Sequence, residues 1–410
     1  MTESGEPGGT AGVLAGVRVV ELAMWAMGPS AGAVLADWGA AVVKIEHPET
    51  GDPMRGLNTF LPNGRNYMFE QVSRGKQSLA IDLRSPDGLE AVQRLITACD
   101  VVLTTMRPAS LEAMGLDEKS VRKLNPSVVF ASGTGYGSVG PEAGRGGFDL
   151  SSFWSRSGIS ATQTPPGQAF ANPMPSRAFG DVLTGISAAG AIAAALYSRQ
   201  RTGEGVKVEF SLFGTAVWAM SGAILDAVRD PSAAEQPPPA EASRATASPV
   251  TTSYRTSDDR YVVLVLLPAD PHWPSLCEAV GRPDMITDPR YATNAERVRH
   301  KEECIAELEA VFARRTAAEW SERLSAMTGV WDIVQRPADL LRDAQVAAEG
   351  FVESLDDGEM TLVRSPVTFD ERRPPLRRAP QIGEHSDEVL ASVGYTDEEI
   401  LDLRISGALL

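Results

Sequence analysis

A chain of 410 residues, 43% of them apolar, is longer than one ordinary domain and predicts two or three, each with its own core. Its formal net charge of −16 argues against nucleic acid and against an anionic membrane surface, since either needs a broad basic face. Three cysteines without CxxC spacing (Cys99, Cys277, Cys304) point to a reducing compartment and no disulfide framework, and four scattered histidines offer little for a zinc site.

Residues 1–16, MTESGEPGGTAGVLAG, have glycines and acids but no basic segment, and read as a flexible leader, not a secretory signal. From Val17 the chain alternates strand and helix signals. Strands are expected at 17–22, 41–45, 79–83, 101–103 and 128–131, with helices over 29–38 and 86–99. Short continuous apolar runs separated by helices predict a parallel sheet covered on both faces. An Ala/Gly/Ile-rich helix opens near Asp181 and ends at Arg199 and Arg201, followed by a Thr-Gly-Glu-Gly turn and a short strand. It is too rich in small residues, and too soon met by Arg199, for a membrane span. A Pro/Ala/Ser-rich stretch at 229–249 reads as a linker. Beyond it, 250–343 reads as a smaller α+β domain: a hairpin with an Asp-rich turn, then helical patterns over 273–280 and 300–328. Residues 344–410 add a strand at 360–363 and a charged helix from Asp387. A cytoplasmic protein is expected.

Three segments could carry chemistry. Gly135-x-Gly137-x-x-Gly140 matches the dinucleotide fingerprint, but Pro141 and charged residues follow where an apolar helix is required. Gly28-Pro-Ser30-Ala-Gly32 matches a hydrolase elbow, with His385 as a distant base, yet five residues separate the strand from Gly28. Asp181 opens a helix, where an Asp is first of all an N-cap. A catalytic role is compatible with a cap, because amides and the helix dipole would keep the carboxylate ionised. Both readings stay open on the residues alone.

A run of segments then resembles one family. GVRVVELAMWAMGPSAGAVLADWGAAVVKIEHPETGDPMRG, RGKQSLAIDLRSPDG, RPASLEAMGL, NPSVVFASGTGYGSVGPEAGRGGFD, FGDVLTG, TGEGVKVEFSL, SPVTFD and RRAPQIGEHSDEVLASVGYTDEEI stand in the order found in class III CoA-transferases, the formyl-CoA transferase and carnitine CoA-transferase type. The resemblance implies a Rossmann-like large domain built from both ends of the chain (17–228 and 344–410), and an interlocked homodimer. It implies an acyl-CoA:carboxylate CoA-transferase with no permanently bound cofactor, coenzyme A being part of the substrate. Asp181 takes the place of the nucleophile that forms an anhydride and then an aspartyl-CoA thioester. By position, His47, Ile81, Arg84, Thr105, Arg107 and Arg145 are implied as CoA-binding, and Ala26, Met27, Phe148 and Asp149 as the substrate pocket.

Ala26, Met27, Thr105 and Met106 stand where many members carry polar groups, which favours a larger or greasier acyl group. A related 2-methylacyl-CoA racemase uses a His in a GHD motif. Here that motif reads Gly147-Phe148-Asp149, and Phe cannot carry a proton. The racemase, and a non-catalytic CoA-binding subunit, are the rival expectations.

Overall fold

The computed structural model describes residues 12–57, 64–230, 248–355, 358 and 360–410. Residues 1–11 of the expected leader and most of the expected linker (231–247) lie outside them. From Gly12 the chain is packed: the Leu14 N–H donates to the Trp38 carbonyl at 2.9 Å. Two compact units are formed, one from Met1–Thr164, Ala169–Glu235 and Gln345–Leu410, the other from Pro165–Gln168 and Gln236–Ala344.

The first unit is built on six parallel strands, β1 (Arg18–Leu22), β2 (Ala41–Glu46), β3 (Gln77–Ala80), β4 (Val101–Thr104), β5 (Val129–Thr134) and β6 (Lys207–Ser211). Their order is β3-β2-β1-β4-β5-β6, so the direction of winding reverses between β1 and β4. Helices α1 (Met27–Asp37), α2 (Tyr67–Ser73), α3 (Pro86–Thr97), α4 (Pro108–Met114), α5 (Glu118–Leu124), α6 (Ile159–Gln163) and α7 (Phe179–Thr202) follow in chain order.

Strand alternation sends Val19, Val42, Val101 and Val129 to one face, where they meet Ala31 and Leu35 of α1 and Ala188 and Ile192 of α7. Val20, Ile45, Leu79 and Val102 go to the other face, against Val92 and Ile96 of α3 and Val121 of α5. Leu390 and Leu403 from the last two helices join that second layer. The expected helix after Asp181 is therefore a core helix, although it is long and apolar enough by composition to cross a membrane. One expected strand is displaced. β3 ends at Ala80, because Ile81 pairs antiparallel with Leu409 and the Asp82 N–H donates to the Ala408 carbonyl at 2.8 Å. Antiparallel β10 (Val352–Leu355) and β11 (Met360–Val363) complete this unit.

The second unit has an antiparallel sheet of β7 (Thr251–Arg255), β8 (Tyr261–Val265) and β9 (Val330–Ile333). Its core holds Trp273, Trp320 and Phe312, with Tyr254 stacked on Phe312 at 5.0 Å between ring centres. The helical pattern expected over 300–328 is broken into Lys301–Phe312 and Ala317–Leu324. Thr316 and Glu319 form a capping box that starts the second helix.

A cluster of charges lies inside the first unit. Glu21 on β1 is 3.2 Å from the Lys44 ammonium on β2 and 2.6 Å from that of Lys76. Lys44 is also 2.8 Å from Asp52. Glu46 accepts two hydrogen bonds from Arg55, at 2.8 and 2.7 Å, and one from the Ser78 hydroxyl at 2.7 Å. Three carboxylates thus face three cations, and all but Arg55 are buried. Burial alone would lower the Lys44 ammonium, but Asp52, Glu21 and Glu46 hold it above the usual lysine range. Burial wins at Lys76, which is pushed down to about 8. Removing one partner from such a cluster leaves an unpaired buried charge. Lys44→Met is expected to lower unfolding stability by about 3–5 kcal/mol, read from urea denaturation.

Candidate active site

In an open parallel sheet, the chain leaves the carboxyl ends of neighbouring strands in opposite directions where the winding reverses, and a crevice opens there. This structure has a cavity of about 450 Å³ at that place. Met24, Trp25 and Met27 enter it after β1, and Thr105, Met106 and Arg107 after β4. The end of β5, a glycine-rich loop over 143–148, Leu212, and Asp181 at the start of α7 close the remaining sides.

Asp181 is not the N-cap. That position belongs to Ala178, in the left-handed region with φ 55°, and Asp181 sits in the first turn. The capping work is done by Asp149, whose two carboxylate oxygens each accept the Gly180 N–H at 3.1 Å. Asp149 comes from a π-helical turn (Asp149–Ser155) and is buried. Gly180 allows this close approach: a Cβ there would lie 2.4 Å from Asp149 Oδ1 and 2.2 Å from Phe153 Cγ. The Asp181 carboxylate is consequently free to face the cavity. Its side chain makes no hydrogen bond or ion pair with the described residues, and among them it is the only acidic group on the wall.

The electrostatics reverse the expectation that the helix end keeps Asp181 ionised. Burial pushes its carboxyl up to about 7, and the Asp149 charge adds to the shift. Burial raises Asp149 as well, against the amides of Gly180 and Asp181, which favour its ionised form.

The other expected site residues divide into groups. Met27, Thr105, Arg107, Arg145 and Phe148 line the cavity with Asp181, and Asp149 stands behind it. Arg145 is 3.0 Å from Glu142, with its guanidinium over the Tyr136 ring. His47 and Arg84 meet each other at 2.6 Å at the ends of β2 and β3, outside this cavity. Ile81 has its side chain in the core beneath α3, so it can offer a ligand only its backbone. Ala26 also turns away and packs with Met54, Phe69 and Val72. It is not a pocket residue, because the cavity is reached instead by its neighbours Trp25 and Met27.

Trp25 escaped the sequence reading. Its backbone lies in the left-handed region, φ 67°, a conformation that costs a bulky residue roughly 1–3 kcal/mol and persists only where surroundings impose it. Position was the available signal, since Trp25 follows directly on a strand end where such sheets bind ligands.

Two motifs lose their alternative meaning. Residues 135–140 form bends without a following α-helix, and the Gly137 N–H is held by the Thr134 hydroxyl at 2.9 Å. Ser30 lies inside α1, buried, while the His385 ring accepts the Ser78 N–H at 3.3 Å. Neither a dinucleotide turn nor a nucleophile elbow is present there. Among the described residues no group of three or more His, Cys, Asp or Glu is placed to hold a metal ion.

Residues 14–386 match the family CoA-transferase family III. The chain is 32% identical to the (R)-2-hydroxy-4-methylpentanoate CoA-transferase of Clostridioides difficile, over 96% of this chain and 98% of that one. It is 33% identical to the cinnamoyl-CoA:phenyllactate CoA-transferase of Clostridium sporogenes, over 95% and 96%. Among solved structures, a CAIB/BAIF family protein from Brucella suis superposes with a TM-score of 0.80 at 28% identity, covering 94% of this chain and all of that one. A free carboxylate at the switch point of a parallel α/β sheet, in a chain matched nearly end to end, places the protein in CoA-transferase family III.

Proposed function

We propose that the protein moves CoA from an acyl-CoA thioester to a free carboxylic acid, with Asp181 as the covalent relay. The carrying observation is the unpartnered Asp181 carboxylate on the cavity wall, freed by Asp149. In the ionised form, a carboxylate oxygen of Asp181 attacks the thioester carbonyl. The C–S bond breaks, giving an aspartyl–acyl anhydride and CoA thiolate. The thiolate then attacks the Asp181 carbonyl carbon, releasing the first acid and leaving an aspartyl-CoA thioester. The acceptor carboxylate attacks that thioester, regenerating an anhydride and the thiolate. Attack of the thiolate on the acceptor's carbonyl releases the new acyl-CoA and restores Asp181. Each attack is balanced by one departing anion, so no net proton is needed.

Anhydride and thioester both hydrolyse, so the site must keep water away from them. Met24, Trp25, Met27, Phe148 and Leu212 around the cavity suit that task. Arg107 and Arg145 on the same wall, and the His47–Arg84 pair, are the cationic groups we assign to the phosphates of CoA. A racemase would need a second base here, and the GHD position is filled by Phe148, whose ring packs on Trp25. The three thiols are free and buried, and on that ground we infer a reducing, cytoplasmic setting. We also infer a homodimer of the intertwined kind. Trp218, Leu225 and Val228 stand exposed on consecutive helices (Leu212–Ala219 and Ser221–Arg229), an apolar surface that a monomer does not ordinarily keep in water.

Three outcomes are expected. Asp181→Asn should lose transfer by on the order of 10³-fold or more while keeping its circular dichroism. In the wild type, acyl-CoA followed by borohydride should reduce the side chain at position 181, as seen by peptide mass spectrometry. Unreduced protein with full transfer would remove the covalent role.

The second concerns pH. Since Asp181 must be ionised to attack, kcat/KM should fall as pH drops through about 7. Asp149→Asn deletes the neighbouring charge, lowers the carboxyl at 181, and should move that limb to more acidic pH. Comparing the two proteins cancels any titration of the substrate's own phosphates.

Third, light scattering should give twice the chain mass, and Trp218→Asp should shift the protein towards monomer.

A further inference from the structure

The loop that links β1 to α1 is gripped from both sides by one buried ion pair. Lys44 Nζ donates to the Ala23 carbonyl at 2.7 Å. Asp52, 2.8 Å from that ammonium, accepts the Trp25 N–H at 3.1 Å and the Met54 N–H at 2.9 Å. The two residues flanking Met24 are therefore fixed by partners that water does not reach, as both Lys44 and Asp52 are buried. This clamp maintains the positive φ of Trp25 and sets its indole on the wall of the Asp181 cavity.

Across the cavity mouth the indole meets Phe148 edge to face, with ring centres 5.8 Å apart and planes at 86°. Phe148 is itself 63% exposed, so this ring is not there to fill a core. Met24, Met27 and Met106 complete the apolar side, and their flexible thioethers adapt to a bulky group. The cavity's cations are already engaged: Arg145 is paired with Glu142, a Cβ on Gly146 would touch the Arg107 guanidinium at 3.2 Å, and both are assigned above to the phosphates of CoA. An acyl group bearing a second carboxylate would press that charge on rings and thioethers. Burial of an unpaired charge there is unfavourable.

We infer that Trp25 and Phe148 are the residues that select the acyl group, and that the acid exchanged at Asp181 is a bulky apolar monocarboxylic acid, not a dicarboxylic one. This rests on the transferase reading given above. Lys44 and Asp52 act as positioning residues, through the backbone of Trp25.

Isotope exchange tests both ideas separately, because an acid labelled with ¹³C can be followed into its own acyl-CoA with no second acyl group present. The pairs are 3-phenylpropanoate with its CoA ester, acetate with acetyl-CoA, and succinate with succinyl-CoA. For the full chain, kcat/KM for the phenylpropanoate pair should exceed that of the other two by about 30-fold or more, the scale of burying a phenyl ring. Trp25→Ala and Phe148→Ala should each reduce that ratio by about tenfold or more, and Trp25→Phe should restore most of it. A variant that merely loosens the fold would slow all pairs alike and leave the ratio intact. Exchange that prefers succinate, or a ratio unmoved by both alanine variants, overturns the selectivity assignment while leaving the transferase standing. Exchange in none of the pairs removes the transferase reading, and this inference with it.

Discussion

The site depends on which acid satisfies the amide at the head of α7. A helix N-terminus needs an acceptor, and the nearest acid in sequence is Asp181. The structure supplies Asp149 instead, and its grip on Gly180 leaves Asp181 without a structural duty. A carboxylate used as a cap has its oxygens committed to amides, which lowers both its basicity and its freedom to form a covalent bond. Delegating the cap to a neighbour removes that restraint, and burial, with the like charge of Asp149 added to it, raises the carboxyl at 181 to about 7. The Asp181 carboxylate is therefore more basic than an exposed one, yet still ionised to a useful extent near neutral pH.

The opposite wall is located by different means. Beneath α1, Glu21, Lys44, Lys76 and Asp52 form ion pairs that are buried from solvent. Such clusters add little net stability over apolar packing, but they fix positions closely, since any displacement separates charges in a poorly screened interior. Here the fixed object is the strained loop carrying Trp25. A purely apolar core under that loop would hold it less closely, because apolar contact has no preferred direction.

Much of the fold was legible in the chain because its signals are local. The runs RVVEL, AVVKI and VVLT are short and rich in valine, and they became β1, β2 and β4 at nearly the expected residues. The break at Thr316 went unread, although Thr316 and Glu319 stand at capping-box spacing; β9 was missed because VWDI is short and partly polar. β3 ended early for a reason no local signal carries: the partner of Ile81 is Leu409, more than three hundred residues away. At the site, Asp181 was visible through its small neighbours and through family resemblance. Its role as an N-cap was misread, because an acid's competitor for the same amide can arrive from anywhere in the chain. Arg107, Arg145 and Phe148 were placed on the cavity by position in the resemblance, whereas Ala26 and Ile81 turn inward, a matter of side-chain direction that spacing does not report.

The two walls meet through a helix crossing. One turn after Asp181, Gly185 lets α7 approach α1 so closely that a Cβ there would lie 2.4 Å from the Ser30 Cβ. Ser30 follows Trp25 by five residues along a buried stretch. The distance between Asp181 and the aromatic wall is thus governed by a contact of small side chains, with one end of each helix separately anchored: α1 by the charge cluster, α7 by Asp149. This explains why the chain between Gly180 and Ala195 is nearly devoid of large side chains on its buried face. Larger residues would bury more area and add stability, but they would push α7 away from α1 and widen the cavity at the carboxylate. Small residues here cost apolar burial, and the return is a close approach of the two helices beside the Asp181 carboxylate.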